Sequence, residues 1–209
     1  MAYDLEEQEQ IDVVKDWWKR NGNAVLLGVA VFVAIVAGIQ GWRYYQHQQT
    51  TQAAGLYEAL QGAVEKRDAK VVREIAGQLM ERFPRTSYAS RAALGAARSN
   101  YEAGDVKSAK AQLQWVMERV KSDEVRDAAR LQMAGVLLDE KNHDEALKLL
   151  ESKHGAGFDG LYADLKGDVL LASGKSAEAR AAYQLALEKM DPASGYRGLV
   201  QLKLDGLGG

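Results

Sequence analysis

Between Asn21 and Trp42 the chain carries no charged residue, and Ala24–Ile39 is apolar apart from two glycines. At ~1.5 Å per residue these 22 residues reach ~33 Å, enough to cross a hydrocarbon core of ~30 Å. Lipid offers no hydrogen-bond partners, so a single spanning segment has to be a helix. The alternatives are a buried core helix, which would carry a polar stripe, and a signal peptide, which would have a short basic start and a small-x-small cleavage site. The stretch shows neither. It follows an acidic segment and leaves through Gln40-Gly41-Trp42-Arg43-Tyr44-Tyr45, and it reads as a retained transmembrane helix over residues 21–42.

The flanks set an orientation. Lys15, Lys19 and Arg20 precede the span, whereas Arg43 stands alone after it until Lys66. The basic excess predicts a cytoplasmic N-terminus and an extracytoplasmic remainder. Trp17 and Trp18 on one side, and Trp42, Tyr44 and Tyr45 on the other, suit the two interfaces.

Residues 1–20 read as a cytoplasmic tail. The first ten, MAYDLEEQEQ, have almost nothing to bury and are expected to be disordered. Ile11, Val14, Trp17 and Trp18 then recur at helical spacing opposite Asp12, Lys15, Asp16 and Lys19, which predicts a short amphipathic helix on the membrane surface or a plain extension of the anchor. Asn21-Gly22-Asn23 predicts a turn after it. Inside the span, Ala30, Ala34 and Gly38 share a face smooth enough for another helix to pack closely, the alternative being a lipid-facing anchor. Residues 43–68 read as a juxtamembrane stalk helix, polar at first and then carrying Leu56, Tyr57, Leu60, Ala63 and Val64. No proline separates it from the span.

Beyond the stalk the pattern repeats. Tyr101-Glu-Ala-Gly104 precedes Ala109 by the offset at which Leu170-Leu-Ala-Ser-Gly174 precedes Ala179, and Leu137-Leu-Asp-Glu-Lys141 leads in the same way to Ala146. The three alanines are 37 and 33 residues apart. A period near 34 with two helices per unit is that of tetratricopeptide repeats. Leu161–Pro192 is the clearest copy, with Gly174 expected in the left-handed turn conformation. A weaker copy ends in Leu79-Met80 and Phe83-Pro84, with Val72 where alanine is expected. Residues 69–209 thus read as repeats with a closing helix over 193–204. The fold class is all-α, a single N-terminal transmembrane helix followed by a tetratricopeptide-repeat-like α-solenoid. A non-repetitive helical bundle is the alternative.

Composition removes several function classes. The 27 basic and 29 acidic residues nearly balance, which gives no reason to expect nucleic acid. Cysteine is absent, so there is no disulfide framework, thiolate metal site or acylated cysteine. His47, His143 and His154 are scattered, and the latter two fall near predicted turns, where histidine is usually only solvated. None stands at a mechanistic spacing from a second ligand or a nucleophile, and no phosphate-cradling glycine loop follows a strand. We therefore expect no enzyme, no cofactor, no metal and no small-molecule substrate. What remains is a surface. In this repeat the first helix of each unit lines the concave side. By register that places there Arg91, Leu94, Arg98 and Tyr101, then Leu131 and Leu138, then Leu161, Asp164, Asp168 and Leu171. Such a groove suits a peptide or a partner helix, unless the closing helix or the stalk fills it.

The run Ile11-Asp12-Val13-Val14-Lys15-Asp16-Trp17-Trp18-Lys19, followed by Asn21-Gly22, one span, Gly41-Trp42-Arg43-Tyr44 and an alanine-rich helical repeat, resembles the ancillary SecYEG translocon subunits (the YfgM family) of Gram-negative bacteria over nearly the whole chain. The resemblance implies a bacterial inner-membrane protein with a periplasmic repeat domain. It also implies association with the Sec translocon (SecYEG) and with a membrane-anchored, prolyl-isomerase-like periplasmic chaperone, helping secreted chains pass to folding factors. It supplies no catalytic residues. A membrane-anchored scaffold for another envelope complex, in cell division or outer-membrane assembly, fits the span and repeats equally well.

Overall fold

The computed structural model describes the backbone of residues 2–208 and the side chains of residues 13–208. Among the described residues the regular structure is helical: α1 (Ala2–Glu65), α2 (Ala69–Arg82), α3 (Ser87–Glu102), α4 (Val106–Arg119), α5 (Asp123–Asp139), α6 (His143–Leu150), α7 (Asp159–Ala172), α8 (Ser176–Lys189) and α9 (Arg197–Asp205), with a 3₁₀ turn at Ala156–Phe158. The chain divides into two units, Met1–Gln49 and Thr50–Gly209.

In the first unit, α1 is apolar around its circumference. Leu26, Leu27, Val29, Val31, Phe32, Val33, Ile35, Val36 and Ile39 are all exposed. A helix hydrophobic on every side and uncovered by its own chain belongs in lipid, and this one is long and apolar enough to cross a membrane.

Two expectations for this unit are corrected. The backbone of residues 2–10 is helical, and the helix runs through Asn21-Gly22-Asn23 without a turn. Asn and Gly each disfavour helix by about 1 kcal/mol or less against Ala, too little to interrupt a helix that propagates on both sides. Locally, the Asn21 side-chain amide donates to the Trp17 carbonyl at 3.1 Å. The Trp18 indole covers Gly22, whose added Cβ would lie 3.2 Å from the ring. The amphipathic reading of Ile11 and Asp12 lies outside the described side chains.

The second unit is a stack of four helical hairpins closed by α9. Their turns share one construction. Arg67 (φ 55°), Gly104 (φ 83°), Lys141 (φ 61°) and Gly174 (φ 79°) are left-handed. Each following residue donates its N–H back across the turn: Asp68 to Ala63 O at 3.0 Å, Asp105 to Asn100 O at 2.8 Å, Asn142 to Leu137 O at 2.8 Å and Lys175 to Leu170 O at 2.9 Å. This is the glycine-type helix C-terminus, repeated at the spacing of the sequence pattern. Asp68 and Asp105 then cap the second helices, accepting from the N–H of Val71 and Ser108 at 3.1 Å each. The expected left-handed Gly174 is observed, and the repeat alanines Ala109, Ala146 and Ala179 are fully buried, as is Val72 in the weak copy.

The stalk reading is corrected as well. From Ala53 onward α1 is not a free spacer but the first helix of the first hairpin. Ala53, Leu60 and Ala63 are buried with Val72, Ala76 and Leu79 of α2 and with Ala89, Ala92 and Ala96 of α3. Tyr57 meets Tyr88 with ring centroids 5.4 Å apart. Apolar residues at helical spacing need cover, and the next helices supply it.

Three core clusters run along the unit. Trp115 is shared by the first and second, and Leu147 by the second and third, so stacking of neighbours makes the interior continuous. Small residues set the closest approaches. An added Cβ on Gly160 would lie 2.5 Å from Met190, and one on Gly167 would lie 2.4 Å from the Tyr183 ring.

Candidate functional site

The inner helices present the predicted groove residues unevenly. On α3, Arg91 and Arg98 are exposed while Leu94 and Tyr101 are partly covered. Leu94, Tyr101, Leu131 and Leu138 pack by one side against the core beneath α3, α5 and α7, leaving the other side of each open. The Tyr101 hydroxyl donates to the Asp139 carboxylate across the α3–α5 step. Burial and that hydrogen bond push the tyrosine above its ordinary pKa, the hydrogen bond being the larger influence. Arg98 Nε donates to Glu102 at 2.8 Å. On α7, Leu161 and Leu171 are exposed.

Asp164 is a correction. It is only 3% exposed and is used within the chain. Lys203 of α9 reaches both Asp164 oxygens at 2.9 Å and Asp168 at 2.7 Å. The Tyr196 hydroxyl donates to Asp164 at 3.0 Å, and the Tyr183 hydroxyl donates to Asp168 at 2.8 Å. Burial alone would lower the Lys203 pKa, but the hydrogen bonds to Asp168 and Asp164 outweigh it and hold the ammonium above the usual lysine value. Burial raises the Tyr183 and Tyr196 hydroxyls, and the aspartates raise them further. The closing helix therefore takes Asp164 and Asp168 of α7 and leaves Leu161 and Leu171 exposed beside them. Arg91, Leu94, Arg98, Tyr101, Leu131 and Leu138 remain accessible on α3 and α5.

A second polar cluster went unread in the sequence. Asp127 is almost fully buried; it accepts from Arg130 at 2.6 Å and from the Gly155 N–H at 2.9 Å, while its carbonyl accepts from the Tyr162 hydroxyl at 2.9 Å. His154, expected to be solvated, stacks on Tyr162 at 3.9 Å between centroids and lies 3.3 Å from Asp159. These contacts staple the α6–α7 connection. The Asp127–Arg130 pair has ordinary i,i+3 helical spacing, but no local spacing could have shown the links from Asp127 to Gly155 and Tyr162, which lie 28 and 35 residues away. Among the described residues no group of His, Cys, Asp and Glu is placed to hold a metal ion.

On the span, Ala30, Ala34 and Gly38 are exposed, and an added Cβ at Gly38 would meet nothing within 4 Å. That face is uncovered by the chain itself.

Comparison with known proteins follows this architecture. A family model described as a tetratricopeptide repeat-like domain matches residues 15–209. The chain is 33% identical to the ancillary SecYEG translocon subunit of Neisseria gonorrhoeae, over 99% of this chain and 100% of that one. It is 31% identical to the protein of that name in Haemophilus influenzae, over 89% and 91%, and 28% identical to that of Escherichia coli, over 96% of each. No solved structure matches it. With one membrane-length apolar helix and a stack of four helical hairpins among its described residues, and near full-length similarity to these relatives, the chain belongs to the family of ancillary SecYEG translocon subunits.

Proposed function

We propose that this protein is a non-enzymatic ancillary subunit of the Sec translocon, anchored in the inner membrane with its N-terminus in the cytoplasm and its repeats in the periplasm. In this reading it binds the translocon and a periplasmic, prolyl-isomerase-like chaperone, and so helps hand over secreted proteins. The relatives' names support the translocon association, and the excess of Lys15, Lys19 and Arg20 over Arg43 supports the orientation. The observation that carries the binding role is the open row Leu94, Leu131 and Leu138, bordered by Arg91, Arg98 and Tyr101, on a stack whose far end α9 already covers. Apolar burial there contributes about 25 cal/mol per Å². The face at Ala30, Ala34 and Gly38 adds side-by-side helix packing, and confinement to one membrane adds avidity.

Co-purification from membranes in mild detergent tests the proposal. The full chain should bring down translocon subunits and the chaperone, and Leu131→Glu should lose the chaperone while retaining the translocon. Recovery of cell-division or outer-membrane assembly factors in place of translocon subunits would overturn it in favour of another envelope scaffold.

A further inference from the structure

A cleft of about 750 Å³ opens between the first two hairpins, lined among others by Val64, Arg67, Gly95, Arg98, Ser99 and Glu102. Two of these residues are locally unfavourable choices. Arg67 holds a left-handed backbone, φ 55°, at the turn position where the second and fourth hairpins carry Gly104 and Gly174 and the third carries Lys141. A side chain in that conformation is strained where glycine is not. Gly95 stands inside α3, where glycine disfavours helix. Gly160 and Gly167 are required by their neighbours, but an added Cβ on Gly95 would meet nothing within 4 Å. Gly62, Gly77 and Gly135 share that openness; Gly95 differs in lining a cleft beside two guanidinium groups. Local rules broken together at one place point to function rather than folding.

The charges specify what fits. Among the described residues Arg67 pairs with no acidic side chain, and Arg98 is held by Glu102 through Nε alone, which leaves its terminal nitrogens available. A guanidinium presenting two terminal N–H groups matches a carboxylate bidentately. Exposed Val64 adds an apolar edge, and bare Gly95 lets a peptide backbone approach α3.

We infer that this cleft takes an acidic side chain of an extended polypeptide segment, held between Arg67 and Arg98 and flanked by an aliphatic residue against Val64. The inference rests on the proposed groove and gives that groove its charge specificity.

The test uses the full chain in zwitterionic nanodiscs and two fluorescent dodecapeptides, one alternating Leu with Glu and the other Leu with Gln. The Glu peptide should bind about tenfold tighter, the scale of a charge-assisted hydrogen bond. Arg67→Gly should abolish that preference although glycine suits the turn better than arginine, so a folding defect cannot account for the loss; Arg98→Gln should act alike. Equal affinity for the two peptides, or an unchanged preference in Arg67→Gly, overturns the inference. So does displacement of the Glu peptide when the discs contain phosphatidylglycerol, which would assign the cleft to lipid phosphate. If both peptides bind equally and Leu131→Glu abolishes both, the groove stands and the cleft's specificity fails. If neither peptide binds, both readings fall.

Discussion

Gly167 of α7 lies directly beneath the ring of Tyr183 of α8: an added Cβ would fall 2.4, 2.5 and 2.9 Å from three ring carbons. The ring has little freedom to withdraw, since Tyr183 is only 1% exposed and its hydroxyl is tied to Asp168. Gly167→Ala should therefore overpack the crossing and destabilise the repeat domain by about 1–3 kcal/mol. Gly95→Ala, with open space around it, should stabilise by up to about 1 kcal/mol through helix propensity. Urea midpoints of residues 43–209 carrying each change should move in opposite directions, and a parallel shift would refute this account of the crossing.

Lys141 holds the left-handed turn conformation that glycine holds in two of the other hairpins. Lys141→Gly should raise stability by about 1 kcal/mol, the penalty a side chain meets there. A rise in melting temperature with an unchanged denaturant slope is the expected result, and a fall would show that Lys141 makes a contribution beyond its backbone.

Alkaline pH should weaken the far end of the stack. Tyr162 is pushed up to about 12 by burial and by the charge of Asp127, and Tyr183, Tyr196 and Lys203 are also raised. A group whose folded pKa lies above its unfolded value adds stability below the unfolded value and loses it as pH rises through the folded one. Stability should hold up to about pH 10, the unfolded tyrosine value, and fall as pH climbs through 12. Urea midpoints measured between about pH 8 and 12 should show that decline, and Tyr162→Phe should make it shallower.

Orientation is open to a direct test. Protease added to spheroplasts should digest the repeats and spare an N-terminal tag, because Lys15, Lys19 and Arg20 outweigh Arg43. Loss of the tag with survival of the repeats would reverse the assignment.

The sequence by itself determined the elements whose cause is local. The charge-free stretch from Asn21 to Trp42 needs only its own length and composition to be a membrane helix. The hairpins are legible because a left-handed residue, a capping position and a small buried residue recur at a fixed offset, as at Gly104, Asp105 and Ala109. Tertiary structure decided what depends on residues brought together from afar. Residues 53–65 form the first helix of the first hairpin, not a free stalk, because α2 and α3 cover them. Asp164 is withdrawn from the groove because Lys203, 39 residues later, satisfies its carboxylate. Arg67 and Arg98 share a cleft because hairpin stacking sets the end of one beside the inner helix of the next. Periodicity reports which face of a helix is buried; only packing reports which partner buries it and which charges are left facing outward.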